Sequence, residues 1–146
     1  MAVDPYFISS KFPTEARIIN LARDVNNQKA MWCAEKIRRK MVEFELKLHT
    51  APTVAMMGLA FKPNIDDLRE SPAKLITSKV LQSCNNGNVM VVEPNITEHN
   101  VFKLTDYKVA YEKADIVVFL VNHKEFAELN YRDDVIVLDF CGTFKK

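Results

Sequence analysis

Gly58-Leu59-Ala60-Phe61-Lys62-Pro63-Asn64-Ile65-Asp66-Asp67-Leu68-Arg69-Glu70-Ser71-Pro72-Ala73 is the stretch around which the rest of the chain falls into place. The apolar run Val54-Ala55-Met56-Met57 leads into it between Pro52 and Gly58, and its shortness predicts a buried strand. At the far end, Ser71 suits a helix N-cap and Pro72 suits the first helical position, where no N–H is needed. Strand, charged loop and helix in that order place the loop at a strand's carboxyl end, where open α/β sheets bind their ligands. The following helix points its positive end toward the same place. Lys62 and Arg69 add two cations. A phosphorylated small molecule is the ligand that this pattern predicts.

Downstream, strands alternate with helices. A helix is expected over 72–84, with Leu75, Ile76, Val80 and Leu81 on one side, stopped by Asn85-Asn86-Gly87-Asn88. Val89-Met90-Val91-Val92 reads as a second buried strand ended by Glu93-Pro94. A short edge strand over 104–107, a short helix over 109–114, a strand over 115–121, a short helix after His123 and a last strand over 135–139 follow. The alternation predicts a Rossmann-like, doubly wound parallel sheet in residues 51–146. Glu93 and His123 both fall at strand ends. An acid at the end of a second strand binds ribose in dinucleotide folds, but the G-x-G-x-x-G turn that accompanies it is absent, and the chain holds only three glycines. His123 admits two readings, a ligand group or a satisfied loop residue.

Upstream, residues 14–48 read as one long helix or two in tandem. Thr14 is the expected cap, and Ile18, Leu21, Ala22 and Val25 fall on one stripe. The stripe resumes at Cys33, Ile37, Met41, Phe44 and Leu48, beyond the weak helix formers Asn26 and Asn27. A continuous helix would be roughly 50 Å long, more than the sheet of so small a domain can cover, so part of its stripe is expected to meet another domain or subunit. Pro5 and Pro13 argue against a helix in residues 1–13. The division expected is an extended segment and long helical connector over 1–50, then the sheet domain over 51–146.

Composition bounds the function. The chain has 146 residues, 48% hydrophobic and 27% charged, enough for one core. A net charge of +1 supplies no basic field for nucleic acid. No apolar run approaches the ~20 residues of a membrane span, and no signal peptide is expected. Cys33, Cys84 and Cys141 form no C-x-x-C pair, which favours free thiols in a reducing cytoplasm. No His/Cys/Asp cluster has metal-ligand spacing. Asp66 and Asp67 are adjacent on a loop beside Arg69, a pattern for an ion-pair frame more than for acid–base work.

The segment 61–72 resembles the signature of the nucleotide-sugar 6-dehydrogenases, most closely the branch acting on UDP-N-acetyl-D-mannosamine. The resemblance extends over nearly the whole chain, and it implies an enzyme that oxidises a primary alcohol twice with two NAD, through a thioester on a cysteine. That cysteine would fall just before Met1, and Asp4, in Val3-Asp4-Pro5-Tyr6, matches the family aspartate that helps activate water. By position in the signature, Phe61 and Lys62 would face the UDP-sugar. Arg69 would reach toward the junction with a cofactor domain, supported by Asp66, Asp67, Glu70 and Ser71. Ala22-Arg23-Asp24-Val25-Asn26 resembles the family's central helix at the subunit interface, which implies a homodimer. The chain would then be the UDP-binding portion of such an enzyme and inactive by itself. Two alternatives stay open: a non-catalytic nucleotide-binding or dimerisation module, and a fragment of a related UDP-glucose or UDP-N-acetylglucosamine enzyme.

Overall fold

The computed structural model describes residues 4–84 and 88–144, with side chains from residue 7 onward. Four strands form one parallel sheet: β1 (Val54–Met57), β2 (Val89–Val92), β3 (Ile116–Phe119) and β4 (Ile136–Asp139), in the order β2-β1-β3-β4. β1 lies at the centre, pairing Val54 with Val89 on one side and with Ile116 on the other. All four residues of β1 and of β3 are buried, as expected of a parallel sheet covered on both faces.

Alternation along the strands sends residues to two cores. Val54, Met56, Ile116 and Val118 meet Ile76 and Val80 of helix α3 (Pro72–Ser83) and Ala30, Cys33, Ala34 and Ile37 of the long helix α2 (Arg17–Leu48). Ala55, Met57, Val117 and Phe119 meet Ala110 and Tyr111 of helix α4 (Tyr107–Lys113) and Phe126 of a short 3₁₀ turn, Lys124–Glu128. The long helix and the sheet therefore share one core.

α2 is continuous through Asn26 and Asn27, since neither Gly nor Pro interrupts it, and its 32 residues span about 48 Å. Its stripe divides. Cys33 and Ile37 are buried on the sheet and Met41 and Phe44 half-buried beside it, whereas Leu48 at the far end is exposed and Ile18, Leu21 and Val25 remain 83%, 64% and 59% exposed.

Three expectations need correction. Residues 4–11 are not extended but form helix α1 (Asp4–Lys11). Pro5 sits in the first turn, where a missing N–H goes unnoticed, and Pro13 lies past the end, so the two prolines bracket the helix. Thr14 is not the cap of α2; the helix starts at Arg17 after Ala16, whose N–H bonds back to the Phe12 carbonyl at 2.9 Å. The edge strand shrinks to one parallel bridge between Leu104 and Val91. Asp106 caps α4 there, its Oδ1 accepting from the N–H groups of Lys108 and Val109, and so starts the helix at Tyr107.

Candidate functional site

The chain runs from β1 outward to β2 and then crosses to the other side of β1 to make β3, so the carboxyl end of β1 is a topological switch point. The loop of residues 58–70 leaves from it. Gly58 opens the turn at φ 95, and a Cβ there would stand 2.7 Å from Cβ of Val121. Only glycine fits both the left-handed backbone and the space. Leu59 and Ala60 then turn inward and are buried.

Their two N–H groups point at one carboxylate. Glu93, at the end of β2, accepts from Leu59 N at 2.8 Å and Ala60 N at 2.9 Å through Oε2, and from Asn95 N at 3.0 Å and Asn95 Nδ2 at 3.1 Å through Oε1. Only 3% of Glu93 is exposed. Burial pushes its carboxyl up, but the hydrogen bonds from His123, Leu59 and Asn95 outweigh burial and hold it at about 2.

His123, at the end of β3 and fully buried, is the other half of this cluster. Its Nε2 stands 3.1 Å from Glu93 Oε2. Its Nδ1 receives the backbone N–H of Asn64 at 3.0 Å and Nδ2 of Asn95 at 2.9 Å. With two N–H donors aimed at Nδ1, the ring proton sits on Nε2 and is donated to Glu93. Asn64 itself adopts φ 61, and its Oδ1 accepts from the N–H of Lys124 at 2.8 Å. The loop is thus tied to the ends of both neighbouring strands.

The outer arm of the loop closes on itself. Phe61 N donates to the Asp67 carbonyl at 2.8 Å. Asp67 takes Arg69 as a fork, Nε to Oδ1 and Nη2 to Oδ2, both 2.9 Å, and also accepts the Arg69 N–H. Hydrogen bonds from the Arg69 side chain and N–H hold the Asp67 carboxyl at about 2. Ser71 caps α3 as its sequence position predicts, accepting from Lys74 N and donating to the Ala60 carbonyl at 3.2 Å.

The residues singled out from sequence do not all share one surface. Phe61, Glu70 and Ser71 line a groove of about 680 Å³ together with Ile8, Ile18 and Asn26 from the two N-terminal helices. Asp66, Asp67 and Arg69 line a separate opening with Lys74. Lys62 is exposed, its ammonium 6.0 Å from the Phe61 ring, and takes part in none of the ion pairs seen among the described residues. The Asp4 side chain lies outside the described atoms. Glu93 is not free to hold a ribose, because all its acceptor positions face inward donors. His123 is a satisfied residue with structural partners. Sequence reasoning placed both at strand ends but did not pair them with the loop; the available signal was that their strands flank β1.

Residues 55–146 match the family model described as the UDP-glucose/GDP-mannose dehydrogenase family, UDP binding domain. The UDP-N-acetyl-D-mannosamine dehydrogenase of Campylobacter jejuni is 44% identical over 149 residues, covering 97% of this chain and 34% of that protein. The NDP-N-acetyl-D-galactosaminuronic acid dehydrogenase of Ralstonia nicotianae is 40% identical, covering 89% of this chain and 30% of that protein. A solved UDP-D-ManNAc dehydrogenase from Pyrococcus horikoshii shares the fold with a TM-score of 0.76 at 24% identity, over 99% of this chain and 34% of the other. The chain spans about a third of the length of the relatives it matches.

Proposed function

Because the chain belongs to the UDP-glucose/GDP-mannose dehydrogenase family and spans its UDP-binding domain, we propose that it is the UDP-sugar-binding portion of an NAD-dependent UDP-N-acetyl-D-mannosamine dehydrogenase. In this reading the loop presents Phe61 and Lys62 to the nucleotide sugar. Arg69, held by Asp67, faces the junction with the cofactor-binding part, and Asp66, Glu70 and Ser71 support the frame. Asp4 helps activate water. A relative named for an NDP-N-acetyl-D-galactosaminuronic acid is 40% identical, so the sugar is the part of the substrate that varies among relatives this similar.

The residues present do not form a pyrophosphate seat for NAD. The G-x-G-x-x-G turn is missing from the sequence, and the two amides that follow β1 already hold the Glu93 carboxylate. NAD would be bound by other parts of the enzyme. The exposed stripe of Ile18, Leu21 and Val25 is the face proposed to pair two copies in a homodimer. Among the described residues no helix is long and apolar enough to cross a membrane. Free thiols at Cys33, Cys84 and Cys141 suit a reducing compartment, and the proposed site of action is the cytoplasm.

One observation carries the assignment of roles: Arg69 is forked onto Asp67 while Lys62 stands exposed on the same loop. A lysine without an ion partner is the group that meets a phosphate as a point charge. UDP titrated calorimetrically into the wild type, Lys62→Ala and Arg69→Ala at one ionic strength tests it. Losing a charged hydrogen bond costs about 1.5–3 kcal/mol, so Lys62→Ala should bind roughly tenfold or more weakly, and Arg69→Ala should still bind. Intact binding in Lys62→Ala with none in Arg69→Ala would reverse the roles.

A further inference from the structure

We infer that His123 is the positioning residue of this site: through its Nδ1 it fixes the Asn64 end of the loop, and so the place where Lys62 meets a nucleoside diphosphate. The inference rests on the reading of the loop as a nucleotide site.

Lys62 lies between two anchors and has no ion pair of its own to hold it among the described residues. On one side, Leu59 and Ala60 are bonded to Glu93. On the other, the Asn64 N–H is bonded to His123 Nδ1. These two points are four residues apart in sequence, so the backbone at Lys62 is set by them. The Asn64 anchor is the more delicate. Asn64 holds a left-handed φ of 61, a region that Asn enters more readily than other side chains but that its partners must still fix to give the loop one path. Two bonds do so, His123 Nδ1 on its N–H and Lys124 N on its side chain.

The Glu93 anchor removes the β1 turn as a seat for the phosphates and leaves them to the outer loop, where Lys62 stands. The first amides after a central strand are where α/β folds seat an anion. Here a buried carboxylate of the chain itself occupies that seat, so an incoming diphosphate must be taken further out along the loop. His123 joins the two anchors, donating to Glu93 from Nε2 and accepting from Asn64 at Nδ1.

The two arms of the imidazole can be separated. In His123→Asn the amide oxygen stands near the place of Nδ1 and keeps the hold on Asn64 but cannot reach Glu93. In His123→Gln the amide nitrogen stands near the place of Nε2 and keeps Glu93 but releases Asn64. Three readouts are taken on the 146-residue chain: UDP affinity by calorimetry, exchange of the Asn64 amide by NMR, and melting temperature. His123→Gln should exchange the Asn64 amide at least tenfold faster and bind UDP about tenfold more weakly. His123→Asn should keep that amide protected and bind UDP within about threefold of wild type, even though its melting temperature falls further. Wild-type affinity in His123→Gln, or affinities that merely follow melting temperature in both variants, would overturn the inference.

Should His123→Gln not fold, Asn64→Gly perturbs the same anchor from the surface, since glycine accepts the φ but loses the bond to Lys124. It should raise exchange at residue 64 and weaken UDP binding about threefold; unchanged affinity there would overturn the inference too. If the wild type takes up no UDP, the nucleotide reading itself has failed. The exchange measurement then still decides whether His123 holds the loop, and equal protection of Asn64 in wild type and His123→Gln would show that it does not.

Discussion

Replacing Glu93 by Gln removes a single charge from a site that is closed to water, and the structure gives the size and pH dependence of the effect. The carboxyl lies at about 2 in the fold, against 4.5 for an ordinary glutamate. Two and a half units at about 1.36 kcal/mol each amount to about 3 kcal/mol of stability at neutral pH. The folded value is depressed, so the contribution is complete above the unfolded value and disappears as pH falls toward the folded one. By linkage it is still about 2 kcal/mol at pH 3.5 and under about 1 kcal/mol at pH 2.5. Other acids in the fold are also held down, among them Asp67, Asp134 and Glu35. Subtracting the Glu93→Gln curve from the wild-type curve cancels them, because both proteins carry them. Urea unfolding of both proteins at pH 7, 5, 3.5 and 2.5 measures the difference. A gap of at least about 3 kcal/mol at pH 7 that narrows by about that amount as pH falls, most of it below about pH 4.5, is the expected result. A gap that is constant with pH, or that widens on acidification, would refute the account of Glu93 as an ionised carboxylate seated on backbone amides.

Gly58→Ala combines a left-handed backbone with a Cβ 2.7 Å from Val121; strain and overpacking together should lower stability by about 2–5 kcal/mol in urea unfolding, with partial recovery in the double variant carrying Val121→Ala. Val25→Glu puts a charge in the exposed apolar stripe of α2 and should shift sedimentation toward monomer, whereas a wild type that is monomeric at high concentration would remove that stripe as a self-association face. The 146-residue chain given UDP-N-acetylmannosamine and NAD should form no NADH, followed by absorbance, and turnover by the pure chain would contradict the assignment of NAD binding to other parts of the enzyme.

What could be read from sequence was what depends on neighbours along the chain. The runs 54–57, 89–92 and 115–121 are largely apolar on both faces, so their strands were legible, the last one trimmed in the structure to Ile116–Phe119, and with intervening helices so was the parallel sheet. The Ser71-Pro72 helix start was legible because its chemistry is local. The Asp67–Arg69 fork joins residues two apart, and the clustering of charge announced it. Helix α1 was not legible because Pro5 is a breaker anywhere but in a first turn, and only the structure shows that it sits in one. That the α2 stripe outruns the sheet was legible from its length, but periodicity alone could not say where the covered part begins, since the spacing is the same throughout and only the reach of the sheet separates the two parts. The pairing of Glu93 with His123 was out of reach for a related reason. The two residues are thirty positions apart, and they meet only because β1 lies between their strands.

That pairing accounts for a feature of composition that first looked like a mere absence. A dinucleotide fold requires glycines in its first turn because the backbone must approach a phosphate closely and leave it room. In this chain the corresponding turn has a single glycine, Gly58, and then Leu59 and Ala60, both buried. Their side chains can be buried because no ligand has to enter there: their N–H groups are satisfied from within by Glu93. The side chain of Leu59 packs instead with Val91 and Phe102 in a small core of its own. Filling the anion seat with a carboxylate therefore exchanges a ligand-binding turn for a packed one, and on the proposed reading recognition moves outward along the loop. There a cation rather than bare backbone is exposed, and Lys62 occupies that position. Missing glycines and a depressed buried glutamate are in this way two consequences of one arrangement at the carboxyl end of β1, and the role proposed for Lys62 rests on the same arrangement.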